Sequence, residues 1–122
     1  MLHTKSVEPS TLELLRKLCT ETELDKFALI GGTNLVLRLG HRKSIDLDFF
    51  TVDKFNEEAL DMFLKSEYQD VEITHTDKQN RQYFIKAIKV EFIRYNYPLL
   101  ERIEQLEGIR MYSLKDTVAA KG

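Results

Sequence analysis

The spacing of apolar residues along the chain changes repeatedly between a helical and a strand-like period. Near the N-terminus, apolar positions recur at helical spacing after Ser10, and Ser10 with Glu13 fits a capping box. A short continuous apolar run at 26–30 then predicts a buried strand. These two segments predict an N-terminal helix, beginning at Ser10, followed by a strand in the core.

The same pattern continues to the C-terminus with alternating element types. A glycine pair, Gly31-Gly32, ends the first strand, and residues 33–39 predict a helix that stops at Gly40. The other predicted elements are strands at 45–50, 71–76, 82–87 and 89–95, a turn at 77–80, and helices at 53–65 and 113–120, the last capped by Ser113. Residues 97–110 give a mixed signal that is partly helical. The order α-β-α-β-α-β-β-β-α predicts an α+β (or α/β) domain with a mixed β-sheet flanked by helices.

Composition and charge limit the classes of function. The chain has 122 residues, enough for one domain, and its 43% hydrophobic content can form a core. The net charge of −2 excludes a global basic surface for nucleic acid, so such a contact needs a local patch. A single cysteine, Cys19, excludes an internal disulfide, and no apolar run reaches membrane length. We therefore expect a cytoplasmic protein with no membrane partner.

Two carboxylates on one strand are the most informative feature. In the predicted strand at 45–50, Asp46 and Asp48 point to the face opposite the apolar residues. Their mutual repulsion is relieved by a divalent cation, and Mg²⁺ prefers hard oxygen ligands. An edge strand with a solvated acidic face explains these residues alone equally well. A calcium loop beginning at Asp46 does not, because Thr51 stands where that loop needs glycine.

Two further features change this balance in favour of a site. Gly31-Gly32-Thr33 lies between a strand and a helix, where a ligand can approach the backbone and the helix N-terminus suits a phosphate. The signal is weak alone, because such a turn often needs glycine for its geometry, and no Walker motif follows. Glu91 lies on the polar face of the later strand, although by itself it is typical of a surface residue. Together these residues indicate a metal and phosphate site.

Three segments carry a resemblance to a known family. The sequences Gly31-Gly32-Thr33, then Gly40-His41-Arg42-Lys43-Ser44, then Asp46-Leu47-Asp48-Phe49-Phe50, resemble the nucleotidyltransferase superfamily with the DNA polymerase β fold. Within it, the chain resembles the AbiEii/AbiGii-type toxin nucleotidyltransferases of toxin–antitoxin and phage-defence systems. The segments Lys89-Val90-Glu91-Phe92-Ile93 and Asp116-Thr117-Val118-Ala119-Ala120-Lys121 resemble that family's later strand and helix. The likeness covers roughly residues 26–121.

The resemblance implies a reaction and a set of roles. The reaction is transfer of a nucleoside monophosphate from an NTP to an acceptor hydroxyl, with two Mg²⁺ ions, or Mn²⁺ in their place. The implied metal ligands are Asp46, Asp48 and Glu91. The implied nucleotide contacts are Gly31, Gly32, Thr33, Arg42 and Ser44, and Lys121 is implied as a catalytic charge near the triphosphate.

The resemblance also implies partners, and two departures leave an alternative open. The acceptor would be RNA, most directly tRNA, or a protein, and a cognate antitoxin is expected. The third acid is Glu91 where the family often has aspartate, and the chain ends at Gly122, before the helical C-terminal region usual in the family. We therefore expect a single domain over 1–122. A non-catalytic module that binds nucleotide or a partner protein is the alternative, and a metal-dependent nuclease ranks last.

Two residue sets remain open to a second interpretation. Basic residues could form a local rim for RNA, and they are Arg38, Arg42, Lys43, Lys86 and Lys89. Strand aromatics could stack a base, although core packing is their default role, and they are Tyr83, Phe84, Phe92 and Tyr95.

Overall fold

The computed structural model describes residues 1–40 and 46–121, with Lys121 described by its backbone alone. The helices are α1 (Pro9–Thr20), α2 (Gly31–Leu39), α3 (Glu57–Glu67) and α4 (Leu114–Lys121). The strands are β1 (Ala28–Ile30), β2 (Leu47–Thr51), β3 (Val71–Asp77), β4 (Asn80–Ile85), β5 (Ile88–Arg94), β6 (Glu104–Leu106) and β7 (Ile109–Met111). Short 3₁₀ turns lie at Thr4–Ser6 and Thr22–Leu24.

The strands of the described chain form one mixed sheet in the order β3-β4-β5-β2-β1-β7-β6. β2 lies at its centre, antiparallel to β1 and parallel to β5. β7 joins the other side of β1 in parallel, and β6 closes that edge. The predicted α+β fold with a mixed sheet flanked by helices is confirmed.

The two faces of the sheet are covered unequally. Side chains of α1 and α3, such as Leu15 and Leu64, pack with Phe49 and Phe92 into the main core on one face. The other face carries a smaller cluster around Ile30, Tyr112 and Ala120 of α4. Because side chains alternate along a strand, the polar residues of β2 and β5 emerge on this less covered face.

Residues 104–111 form a hairpin and residues 97–103 lie in neither a helix nor a strand, so the prediction of partial helix over 97–110 is wrong. β6 and β7 pair around a tight turn at Glu107-Gly108, whose φ values are 49° and 81°. Each strand has only three residues, which is too few for a period to show in the sequence. Two consecutive positive φ values are typical of the hairpin turns that match strand twist.

The predicted capping box at Ser10 is also wrong. α1 begins one residue earlier, at Pro9, and Glu8 precedes it without a side-chain cap. The proline ring fixes φ near the helical value and has no N–H to satisfy, so proline is favoured at a first helical position. Ser10 therefore lies inside the first turn.

Two other predicted helix ends are confirmed. Gly40 follows α2 in the left-handed conformation. Ser113 precedes α4, and its hydroxyl oxygen accepts the N–H of Asp116 at 3.0 Å. The buried Asp116 carboxylate in turn accepts the Ser113 hydroxyl and the N–H groups of Leu100 and Glu101, at 2.8, 2.8 and 3.1 Å. This carboxylate therefore joins the loop after β5 to the start of α4.

Arg38 does not belong to a basic rim. Its guanidinium donates to the carboxylate of Glu104, to the carbonyl of Tyr112 at 2.9 Å and to the side-chain oxygen of Asn34 at 3.0 Å. These partners lie on β6, after β7 and on α2, so the side chain ties α2 to the C-terminal hairpin. That part of the predicted RNA rim is wrong, because the Arg38 side chain is largely buried and its charge is paired with Glu104.

Candidate active site

Asp48 and Glu91 lie side by side at the centre of the sheet. They are register partners in the parallel pair β2–β5, and Asp48 is also opposite Ile30, the last residue of β1. Both carboxylates line a cavity of about 190 Å³ together with Gly31 and Gly32. The strand register thus places two acids that are distant in the sequence next to the first turn of α2.

The electrostatics of the pair disfavour two negative charges. Burial and, after it, the charges of Glu91 and Asp46 together raise the pKa of Asp48 from 3.8 to about 6, while Lys89 opposes them. A carboxylate next to other carboxylates resists ionisation unless a cation compensates. The cavity therefore favours a cation over an empty anionic cluster.

Gly31 is required by the position of Asp48. Its φ is +78°, and a Cβ built there would lie 2.7 Å from Oδ2 of Asp48. Gly31 is also the first residue of α2, where main-chain N–H groups have no acceptor within the helix and Ile30 offers no side-chain cap. Asp48 can therefore lie against the backbone at a helix N-terminus only because no side chain intervenes.

We predict that Gly31→Ala lowers nucleotide transfer at least about 100-fold, because the added Cβ displaces the Asp48 carboxylate. The matched control is Gly108→Ala, since Gly108 also has a positive φ, +81°, but no heavy atom within 4 Å of an added Cβ. Both variants carry a left-handed alanine, which costs about 1–2 kcal/mol. Transfer rates and melting temperatures of both check this, and equal activity of the two would contradict the role of Gly31.

Asp46 and Thr33 lie at the edge of this arrangement. Asp46 directly precedes β2 and is partly buried. Its main-chain carbonyl accepts the hydroxyl of the buried Thr33, which ties the start of β2 to α2. The Thr33 hydroxyl predicted to hold a phosphate thus positions the acidic strand.

The other predicted contacts lie outside the described residues. Arg42 and Ser44 belong to 41–45, as do His41 and Lys43, and the side chain of Lys121 is likewise outside the description. Their roles remain predictions.

The described carboxylates offer oxygen ligands without a preformed metal cage. Within residues 1–40 and 46–121, no group of three or more His, Cys, Asp or Glu side chains is arranged to hold a metal ion. The structure thus brings Asp48 and Glu91 together, and Asp46 does not complete a three-ligand cluster with them. Mg²⁺ is commonly bound through one or two carboxylates, with water and substrate phosphates completing the shell. The carboxylate oxygens of Asp48 and Glu91 therefore fit this ion, and Gly31 leaves room for it beside Asp48.

Several residues that line the cavity were assigned no role in the site from the sequence alone. Thr117 and Ala120 of α4 form one wall, while Phe50 and Ile93 lie beyond the carboxylates on β2 and β5. The spacing of Thr117 and Ala120, three residues apart on a helix, places them on one face. Small side chains at this spacing were the available signal, and they leave room beside Asp48.

Comparisons with known proteins agree with this architecture. The family model described as nucleotidyl transferase AbiEii toxin, of type IV toxin–antitoxin systems, matches residues 13–121. An uncharacterised protein of Aquifex aeolicus is 35% identical over 108 residues, covering 85% of this chain and 51% of that protein. The chain thus spans about half the length of this curated relative.

Solved structures show the same fold. A presumed nucleotidyltransferase from Helicobacter pylori has a TM-score of 0.59 and 24% identity over 93% of this chain and 58% of its own. A presumed nucleotidyltransferase from Thermotoga maritima reaches a TM-score of 0.62 with 19% identity, over 94% and 84% of the two chains. The CCA-adding enzyme of Thermotoga maritima, solved with tRNA, has a TM-score of 0.60 and 19% identity over 93% and 29%.

The family match extends over most of the chain, and it includes the glycine turn, both strands of the carboxylate pair and α4. Across the described ranges, no helix is long and apolar enough to cross a membrane.

Because the family model matches residues 13–121, the chain belongs to the AbiEii nucleotidyltransferase toxin family.

Proposed function

We propose that this chain transfers a nucleoside monophosphate from an NTP to an acceptor hydroxyl, with a divalent cation, as a toxin of a toxin–antitoxin or phage-defence system. The observation that carries the proposal is the Asp48–Glu91 pair beside Gly31 at the start of α2. This geometry would place a cation and the phosphates of the NTP in one cavity. Family membership supports the same reaction class.

The carboxylates would hold the cation. Asp48 and Glu91 would contribute ligands from β2 and β5, and Asp46 would join from the segment before β2. Bound Mg²⁺, or Mn²⁺, supplies charge neutralisation and alignment of the attacking and leaving oxygens. Burial and the charges of Glu91 and Asp46 raise the pKa of Asp48, and a cation in the cavity would offset both effects and favour the ionised carboxylate.

The first turn of α2 would hold the phosphates. The N-terminus of a helix combines main-chain N–H donors with a partial positive charge. Gly31 and Gly32 line the cavity, so an anion can approach their backbone closely. Arg42, Ser44 and Lys121 would add contacts from segments outside the described side chains.

The acceptor would be an RNA hydroxyl, with tRNA as the first candidate, or a hydroxyl of a protein. The support for tRNA is fold-level, since a CCA-adding enzyme of the same fold has been solved with tRNA. A cognate antitoxin is proposed from the toxin family alone.

Labelling tests the proposal directly. The purified chain is incubated with each α-labelled NTP in turn, with Mg²⁺ and either total RNA or total protein. We expect one acceptor class to be labelled and EDTA to abolish the label. No label from any of the four NTPs would contradict the transferase. Binding of an NTP without transfer would instead favour the non-catalytic module, and loss of RNA without added NTP would favour a nuclease.

A further inference from the structure

We propose that the nucleobase of the NTP stacks on Tyr95, within an aromatic row in which Phe50 lines the cavity, Tyr95 contacts Phe50, and Tyr97 contacts Tyr95. This inference rests on the proposed function and extends it, because it assigns the part of the site that selects a nucleotide over a plain polyphosphate. None of the three residues has a role in the metal or phosphate contacts described above.

The cavity has a polar end and an apolar end. The polar end consists of Gly31 and Gly32 with the carboxylates of Asp48 and Glu91. The apolar end begins two residues further along both central strands.

The strand register extends the apolar end towards Tyr95. Phe50 follows Asp48 and Ile93 follows Glu91, and Phe50 and Ile93 are themselves register partners. Because residues two apart on a strand share a face, both continue the surface on which the carboxylates lie. A nucleoside triphosphate has the same layout, with charged phosphates at one end and a flat base at the other.

Tyr95 extends this apolar end into solvent. It is 40% exposed, and its ring lies edge-on to Phe50 with centroids 5.3 Å apart and an interplanar angle of 86°. Tyr97 supports it from another side, with centroids 4.6 Å apart and a tilt of 45°. Two neighbouring rings thus hold a third that keeps much of its surface in water, where a base can replace that water.

The row is fixed by hydrogen bonds before any ligand binds. The N–H of Tyr95 donates to the carbonyl of Thr51 at 2.7 Å, and the N–H of Tyr97 donates to the carbonyl of Tyr95 at 3.1 Å. The hydroxyl of Tyr97 donates to the carbonyl of Asp116 on α4 at 3.2 Å. A stacking surface held in this way loses little conformational freedom on binding.

The other strand aromatics do not compete for this role. Tyr83 and Phe92 are fully buried, so their predicted default of core packing is confirmed. Phe84 is 37% exposed, close to the value for Tyr95, but it lies on β4 opposite Lys89. Lys89 is four residues along β5 from Ile93, the register partner of Phe50, so Phe84 lies away from the aromatic row. Phe84 therefore provides a matched control for the loss of an exposed aromatic ring.

The test compares NTPs with inorganic tripolyphosphate, which has the same phosphates and no base. Calorimetric titration with Mg²⁺ gives the Kd of each for the wild-type chain and for Tyr95→Ala, Tyr95→Leu, Tyr95→Phe and Phe84→Ala. We expect the alanine and leucine variants to bind the preferred NTP roughly tenfold more weakly, within the range typical of one base–aromatic stack. Tripolyphosphate affinity stays unchanged, and Tyr95→Phe and Phe84→Ala match the wild type.

The outcomes separate this inference from the function on which it rests. Wild-type protein that binds neither an NTP nor tripolyphosphate contradicts both. Wild-type protein that binds tripolyphosphate as tightly as every NTP contradicts the base site alone, as does unchanged NTP affinity in Tyr95→Ala. Equal weakening of both ligands in Tyr95→Ala and Tyr95→Leu assigns the ring a structural role. If total RNA, titrated in the same way, binds Tyr95→Ala more weakly while NTP affinity is unchanged, the ring of Tyr95 belongs to the acceptor site. This result and the structural role would each overturn the proposal.

Discussion

Replacing Asp48 by asparagine is expected to lower nucleotide transfer roughly 10³-fold, equivalent to about 4 kcal/mol of transition-state stabilisation. Asparagine keeps the shape of the side chain beside Gly31 but removes the charge that would hold the cation. Since catalysis of phosphoryl transfer depends on positioning and charge neutralisation, the loss should appear in the rate at saturating NTP. The labelling assay with purified variant and wild type measures it.

The control is Asp53→Asn, which removes an exposed carboxylate just after β2. We expect it to retain wild-type activity. A rate for Asp48→Asn within tenfold of the wild type would remove the carboxylate pair from the mechanism.

Asp48→Asn should also stabilise the metal-free protein at alkaline pH. Burial, with the charges of Glu91 and Asp46, raises the pKa of Asp48 from 3.8 to about 6, so folding disfavours its ionised form. This cost is absent below pH 3.8, grows between pH 3.8 and 6, and is complete above pH 6. It corresponds to on the order of 3 kcal/mol. In EDTA at pH 8, Asp48→Asn should therefore melt roughly 10–15 °C above the wild type, with the difference nearly gone below pH 4.

The second large effect concerns Asp116, whose replacement by asparagine should destabilise the fold by about 2–4 kcal/mol. The buried carboxylate accepts two main-chain N–H groups, those of Leu100 and Glu101, and the hydroxyl of Ser113. An amide would present a donor to at least one of these donors. Because Asp116 joins the loop after β5 to α4, the loss should also loosen the cavity wall formed by Thr117 and Ala120.

The pH dependence distinguishes this role from a general packing defect. Burial alone would raise the pKa of Asp116, but the hydrogen bonds from Leu100, Ser113 and Glu101 outweigh it and lower the pKa below 3.8. The stability that it contributes is present above about pH 4 and is lost as the pH falls through the lowered pKa. The melting temperatures of wild type and Asp116→Asn should therefore converge in acid. Asp25→Asn, at an exposed site, should show neither effect.

Local signals predicted most of the fold, and the failures have local causes. Gly40 and Ser113 marked helix ends correctly because a left-handed terminus and an N-cap each depend on one residue type. The β6–β7 hairpin was missed because its strands are three residues long and because β7 joins the sheet through β1, which is distant in the sequence. The start of α1 was misplaced by one residue, because the fixed φ of Pro9 suits the first helical position and the helix begins there without a side-chain cap.

The site was predictable where it depended on side-chain alternation. That rule placed Asp48 and Glu91 on the same face, and the register of β2 with β5 brought them together. The environment of Arg38 was not predictable, since its partner Glu104 lies on the missed hairpin. The exposure of Tyr95 was not predictable either, because the sequence does not show how much of the sheet α4 covers.

The parallel pairing of β2 with β5 makes the chemistry conditional on complete folding. β5 forms its hairpin with β4 locally, whereas its junction with β2 closes a long loop through α3, β3 and β4. Such non-local contacts form late, because loop closure costs entropy before it is rewarded. A nascent chain whose β5 has not yet emerged from the ribosome, or a molecule with β5 detached, therefore has its two central acids apart and lacks the proposed site.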